Sequence, residues 1–262
     1  MKQTIGSIQK AKNNRKLTMI TAYDALFANI FEQAQVDFIL VGDSLNMSFA
    51  GKSDTLSATL DQMIYHTQAV CAGAQNSFVI CDMPFGTYRD ENIALSNAIK
   101  VFQETSADAI KIEGGKEKAH IVKALTSNSI AVCGHIGLLP QNFRSEGGYK
   151  VKGKDEANIA TLIEDAKAIE EAGAFMMVVE GVKEDAAKLI SEAVSVPVIG
   201  IGAGSFVDGQ VLVWSDMLGF LQGNYPKFVR QYLDGTNLVK EAVSQYRNDV
   251  ESGVFPGEKE KY

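Results

Sequence analysis

Apolar residues along this chain gather in short, nearly unbroken runs, and six of those runs end on a polar group or a glycine cluster. They are FILVGDS (38–44), FVICDMP (78–84), AIKIEGG (109–115), AVCGHIG (131–137), FMMVVEG (175–181) and PVIGIGAG (197–204). Runs that do not alternate are the pattern of strands covered on both faces, as in a parallel sheet flanked by helices. Together with the segments at the two ends they predict strands at 17–21, 38–42, 78–82, 109–113, 131–135, 175–180, 197–201 and 211–213. Helical patterns fill the intervals at 24–34, 59–75, 91–106, 117–127, 155–172 and 183–194. Ser57 and Thr59 are placed to cap the second of these helices, and Gly173 to stop the helix 155–172. Strands alternating with helices in this way predict an α/β fold, a closed (β/α)8 TIM barrel. An open doubly wound sheet is the competing arrangement, because closure leaves no mark in a sequence.

Three departures from a minimal barrel stand out. Leu45–Ser57 makes a long connection after the second strand, and 136–154 makes another after the fifth. Long connections in compact domains are often functional. The second carries Gly147-Gly148 as a hinge and Arg144, Lys150, Lys152 and Lys154 as positive charge, which reads either as a lid over a pocket or as a solvated basic loop. Beyond the eighth strand, additional C-terminal helices are expected near 226–233 and 236–251, the latter with Leu238, Val239, Ala242, Val243 and Tyr246 on one face. Such a face would seal the barrel or meet another subunit.

The length of 262 residues, 46% of them hydrophobic, fits one barrel domain spanning 1–262, such barrels running to roughly 250 residues. Two smaller domains also fit, but no Pro/Ser-rich linker marks a boundary. A net charge of −7 argues against nucleic acid, whose binding relies on basic surface. No apolar run is long enough for a membrane span, and the basic N-terminus lacks the apolar stretch of a signal peptide. Cys71, Cys81 and Cys133 form no C-x-x-C pair, which points to a reducing, cytoplasmic setting. A nucleophilic role for Cys81 is disfavoured, since neighbouring Asp82 would raise the thiol pKa.

In a parallel barrel the strand ends converge on one face, so the terminal groups of the runs would share a pocket. Asp43 and Asp82 end the second and third strands. Two hard oxygen ligands from neighbouring strands suit Mg²⁺, with Glu113 on the next strand; one aspartate alone would equally well cap a turn. Lys111 and Glu113 are two apart and face the same way. A buried lysine needs an anion, either Glu113 itself or a substrate carboxylate. A Schiff-base role is less attractive beside acids that would keep the ammonium protonated. His135 alone of the three histidines closes a strand, and Glu180 ends an apolar run that suits a general base. The GIGAG glycines (200–204) are a weak ligand signal, because glycines also serve close packing. A metal held by acids, a lysine for an anion and a separate base together describe the chemistry of oxo-acid enolates. Another Mg²⁺-dependent lyase or aldolase, or a non-catalytic metabolite-binding protein, are the competing readings.

The blocks TAYDALFA, VGDSLNM, YHTQAV, CDMPFGTY, KIEGG, CGHIGLLPQ, GGYKVKGK, VPVIGIGAG, DGQVLV and ESGVFPGE, spread from Thr18 to Gly257, resemble the ketopantoate hydroxymethyltransferase family. The resemblance implies a (β/α)8 barrel that transfers a hydroxymethyl group from 5,10-methylenetetrahydrofolate to 3-methyl-2-oxobutanoate, giving 2-dehydropantoate for pantothenate synthesis. It implies Mg²⁺, replaceable by other divalent ions, on Asp43 and Asp82, with Glu113 beside it partly through water. It further implies that Ser44 and Lys111 bind the oxo acid alongside Asp43 and Asp82, that His135 lies close to the substrate, that Glu180 is the base, and that the assembly is a homodecamer. Asn46 stands where glycine is common after GDSL, and LLPQ replaces LTPQ; neither change removes a charged site group.

Overall fold

A computed structural model describes residues 2–221, 223 and 225–262 of the protein. Eight strands, β1 Leu17–Thr21, β2 Phe38–Val41, β3 Phe78–Asp82, β4 Ala109–Glu113, β5 Val132–Gly137, β6 Met176–Glu180, β7 Val198–Ile201 and β8 Gly209–Leu212, run parallel in sequence order. The β8–β1 pair, Leu17 opposite Gly209, closes the sheet into a barrel and excludes the open doubly wound alternative. Each strand matches its predicted run within two residues at either end. The start of β8 is the exception to legibility, because Gly209 and Gln210 carry no apolar signal.

Helix α1 Ile5–Gln9 precedes β1, and the helices between the strands are α2 Ala25–Gln33, α3 Leu45–Ser48, α4 Leu60–Gly73, α5 Glu91–Glu104, α6 Ala119–Ser127, α7 Phe143–Glu146, α8 Glu156–Glu171 and α9 Glu184–Ala193. Their starts follow capping chemistry: Asp24, Thr59, Asp90 and Asp155 each accept a backbone N–H of the first turn, and Thr59 forms a reciprocal box with Gln62. Ser57 does not cap α4 but accepts a hydrogen bond from Asn46.

Strand periodicity divides the barrel into an inner and an outer set. Leu17, Met19, Phe38, Leu40, Phe78, Ile80, Ala109, Cys133, Val178, Ile199 and Val211 pack together in one apolar cluster, joined by Ile8 and Ala11 of the N-terminal segment. Two residues on from members of this set lie Asp82, Lys111 and His135, and two beyond Lys111 and Val178 lie Glu113 and Glu180. The site is therefore the polar continuation of the same inward-facing rows at the carboxyl ends of the strands.

Residues Met1–Val213 form one compact unit and Trp214–Tyr262 a second. The second holds α10 Trp214–Met217 and α11 Gly235–Glu251. The helix expected near 226–233 is absent. In its place a single turn at Pro226–Val229 leads into irregular chain with a bend at Tyr232, whose N–H donates to Met217 O. Phe228, Tyr232 and Leu233 are exposed, so no buried apolar face supports so short a helix. On α11 the predicted face is real, and Leu238, Val239, Val243, Tyr246 and Val250 are exposed. Among the described residues no helix is long and apolar enough to cross a membrane.

Candidate active site

Strand register sets the first contacts. Asp82 lies opposite Lys111 on the next strand, Glu113 opposite His135, and Gly137 opposite Glu180. Gly137 has φ +98°, and a Cβ there would fall 2.4 Å from the Glu180 carbonyl oxygen, so only glycine lets β5 and β6 meet beside Glu180.

Asp43, just beyond β2, donates its backbone N–H to Asp82 Oδ2 at 3.0 Å. The Lys111 ammonium rests on Asp82 Oδ1 and stands 3.9 Å from Glu113 Oε1. It is also 3.4 Å from His135 Nδ1. His135 Nδ1 is 3.5 Å from Glu113 Oε1, and Nε2 is 3.3 Å from Glu180 Oε2. Six far-separated groups thus form one network of contacts from Asp43 to Glu180. Ser44 joins from the side, its hydroxyl 2.9 Å from that of Tyr23. Asp43, Asp82, Lys111, Glu113 and His135 are all buried, whereas the Glu180 side chain keeps 19% of its surface. Glu180 is thus less desolvated than its apolar run implied.

The electrostatics follow from that burial. Burial pushes the Asp43 carboxyl well above the usual range, and the charges of Asp82 and Glu113 push it further. Asp82 is also raised, by burial against the pull of Lys111. Burial acts the same way on Glu113, but its contacts with His135 and the charge of Lys111 outweigh it and hold the group low. For Lys111, burial favours the neutral amine, yet Asp82, Glu113 and Asp43 together keep the ammonium. Burial and Lys111 would both lower His135, but Glu113 and Glu180 lift it to about 9, so the ring is an imidazolium at neutral pH.

Asp82 Oδ1, Glu113 Oε1 and His135 Nε2 are buried without an aligned hydrogen-bond partner. Among the described residues no three or more His, Cys, Asp or Glu side chains form a ready-made metal cage. What is present is a pair of crowded carboxylates, Asp43 and Asp82, whose resistance to joint ionisation a dication would relieve. Two carboxylates and room for water suit Mg²⁺, which seldom has an all-protein cage.

Residues overlooked in the strand-end reading complete the site. Gln141, in the turn Pro140–Asn142, donates its backbone N–H to Glu113 Oε2 at 3.0 Å and its side-chain amide to Asp43 Oδ2 at 2.9 Å. Tyr88 donates to the Gln141 side-chain carbonyl. Tyr149 packs at a tilt against Phe143, and burial followed by the charge of Glu180 and Asp43 lifts its hydroxyl to about 12. Gln141, Tyr88 and Tyr23 all stand in the blocks LLPQ, FGTY and TAYD, but none ends an apolar run.

The connection after β5 is built rather than merely solvated. Gly147 ends α7 in the left-handed conformation at φ +67°. Arg144 pairs with Asp54 of the connection after β2 at 2.9 Å, and Lys152 pairs with Glu146 within the loop at 2.5 Å, so two of the four basic residues face acids. The GIGAG segment turns back on its own chain: Gln210 donates to Gly204 O, and Ser205 to Glu184. Cys81 and Cys133 are buried free thiols, pushed up to about 12 by burial, which bears out the inert reading of Cys81.

A closed parallel barrel with a lysine, a histidine and four carboxylates linked at its carboxyl end defines a (β/α)8 enzyme built for a small oxygen-rich substrate. The family model for ketopantoate hydroxymethyltransferase matches residues 2–258, and the chain belongs to that family. The 3-methyl-2-oxobutanoate hydroxymethyltransferase of Aliarcobacter butzleri (strain RM4018) is 65% identical over 261 residues, covering 100% of this chain and 97% of its own. That of Sulfurimonas denitrificans (strain ATCC 33889 / DSM 1251) is 66% identical over 255 residues, covering 97% of each.

Solved structures share the fold at much lower identity. Phosphonopyruvate hydrolase in complex with oxalate and Mg++ has a TM-score of 0.63 at 15% identity, covering 98% of this chain and 92% of its own. 2,3-Dimethylmalate lyase, a PEP mutase/isocitrate lyase superfamily member, has a TM-score of 0.62 at 16% identity, covering 100% and 93%.

Proposed function

We infer that the protein transfers a hydroxymethyl group from 5,10-methylenetetrahydrofolate to 3-methyl-2-oxobutanoate, giving 2-dehydropantoate for pantothenate biosynthesis. Full-length identity of 65% and 66% to 3-methyl-2-oxobutanoate hydroxymethyltransferases favours this over a lyase, an aldolase or a silent binding protein. The observation that carries the reading to named residues is the continuous contact chain from Asp43 through Asp82, Lys111 and His135 to Glu180.

Asp43 and Asp82 would hold a Mg²⁺ ion, with Glu113 reaching it through water; other divalent ions would fit the same oxygen donors. Bound there, the ion would supply Lewis acidity to the carboxylate and keto oxygens of the oxo acid. Lys111 offsets the negative charge of that substrate, and Ser44, steadied by Tyr23, donates a hydrogen bond to it. Glu180 removes the proton from C3, breaking the C3–H bond, and His135 positions the carboxylate and balances its charge. The resulting carbon nucleophile attacks the folate methylene carbon. A C–C bond forms, the two methylene–nitrogen bonds break, water supplies the hydroxyl oxygen, and the proton taken from C3 and one proton of that water end on the two released folate nitrogens.

Residues 1–262 serve as one functional domain in this reading, with the whole site on the barrel unit. The exposed apolar face of α11 supports a homo-oligomer, the homodecamer of the family resemblance. Free Cys71, Cys81 and Cys133 support a cytoplasmic location. The deciding experiment is turnover of the two named substrates with and without chelator. Product formation that stops with chelator and returns with Mg²⁺ is expected; no product under any condition would defeat the reading.

A further inference from the structure

We propose that Gln141 is a positioning residue for the reaction, fixing the carboxylates of Asp43 and Glu113 from the connection after β5, and that Tyr88 fixes Gln141 in turn. The proposal rests on the assigned hydroxymethyl transfer and names a part of its machinery.

The side-chain amide of Gln141 is fully used. Its two donors go to Asp43 Oδ2 at 2.9 Å and Met83 O at 3.0 Å, and its carbonyl accepts from Tyr88 Oη–H. This pattern fixes the amide orientation. Turned over, its oxygen would face the Met83 backbone carbonyl, which has no proton to give, and the bond accepted from the Tyr88 hydroxyl would be lost. Gln141 is itself 6% exposed, so water does not compete for these bonds.

The consequence lies in which carboxylate oxygens are taken. Gln141 holds Asp43 Oδ2 through its side chain and Glu113 Oε2 through its backbone. Glu113 is thereby turned so that Oε1 faces Lys111 and His135. A carboxylate with one oxygen bound and the other presented has a single orientation, which is what partners one shell away from a reactive or cation-binding acid provide. Tyr88 extends the support outward, its ring lying under the Lys118 ammonium at 5.5 Å.

The same connection touches the loop after β2 a second time. Arg144, three residues beyond Gln141, pairs with Asp54, whose carbonyl accepts from Asn46. Ordering of the loop after β5 and orientation of the two acids are therefore coupled.

The test uses Mn²⁺ as the binding probe, read by electron paramagnetic resonance, alongside kcat and KM for both substrates. Gln141→Met keeps the backbone bond to Glu113 and the side-chain volume but removes the amide. Mn²⁺ affinity about 10- to 100-fold weaker is expected, with kcat reduced more than the oxo-acid KM is raised and with an unchanged fold by circular dichroism. Tyr88→Phe leaves the Gln141 donors in place and should weaken Mn²⁺ binding in the same direction by a smaller factor. It decides the matter if Gln141→Met does not fold. Mn²⁺ affinity and kcat within about twofold of wild type in a folded Gln141→Met or in Tyr88→Phe, well short of the outer-shell effect, would overturn the positioning role. Failure of the wild type to turn over the two substrates would instead overturn the assigned reaction, and the proposal with it.

Discussion

His135 Nε2 lies 3.3 Å from Glu180 Oε2, while its other ring nitrogen faces Glu113. One imidazole therefore joins the acid assigned to proton removal to the acid assigned to the cation side. Replacing His135 by Asn removes the far nitrogen and leaves Glu180 unheld. Exchange of the C3 proton of 3-methyl-2-oxobutanoate into deuterated water is expected to slow about 100-fold. Glu180→Gln should abolish the exchange while Mn²⁺ binding stays at the wild-type level. Exchange that survives in Glu180→Gln would move the base to another group.

Lys111 is buried among Asp82, Glu113 and Asp43, and the charges of these three acids keep it an ammonium. Lys111→Met leaves those acids uncompensated, at an expected cost of about 3 kcal/mol in stability. Added Mg²⁺ should restore thermal stability to the variant more than it raises that of the wild type, because binding to the native state alone stabilises it. An equal Mg²⁺ increment in both proteins would show that the lysine and the ion do not share these acids.

The barrel was legible because its strands are buried on both faces and so read as unbroken apolar runs. The inward rows also carried the site: Ile80 to Asp82, and Val178 to Glu180, continue one face of a strand. What escaped was held by tertiary contact. Gln141 gains its role only when the turn after β5 folds onto Asp43, which lies 98 residues away in the chain. The basic residues of that loop read as free charge, but Arg144 and Lys152 spend theirs on Asp54 and Glu146. The segment 226–233 had a helical pattern without a surface to bury it against.

Asp37 ties the chain entering β1 to the start of β2. It accepts two hydrogen bonds from Arg15, at 2.7 and 3.1 Å, and further ones from Thr18 and Gln3. Burial alone would raise its pKa, but the bonds from Arg15 and Thr18 outweigh it and hold the group below its ordinary value. A depressed carboxylate contributes stability that is complete above its unfolded value, near 4, and that is lost as pH falls through the lower native value. Asp37→Asn should therefore be less stable than wild type at pH 7, by about 1 kcal/mol, and the gap should close as the pH drops below about 4. Urea titrations of both proteins across that range measure the gap. A gap that stays constant would mean the charge of Asp37 contributes nothing.

Asn46, in the connection after β2, is 1% exposed. Its amide donates to Asp54 O at 2.8 Å and Ser57 Oγ at 2.9 Å, closing the connection after β2 onto itself. The same Asp54 receives Arg144 from the connection after β5. Asn46→Gly removes both bonds and adds backbone freedom, so a loss of about 2 kcal/mol is expected. The loss should be local. Amide exchange at 48–57 should rise well before that of the strands, since segments anchored by few buried contacts open first. The KM for the oxo acid should rise severalfold with a smaller change in kcat, because Ser44 and Asp43 sit at the root of the loosened segment while Glu180 stands across the barrel on β6. Unchanged exchange at 48–57 would show that the loop is held by Arg144 and Asp54 alone, and Arg144→Ala in the same experiment would then carry the effect.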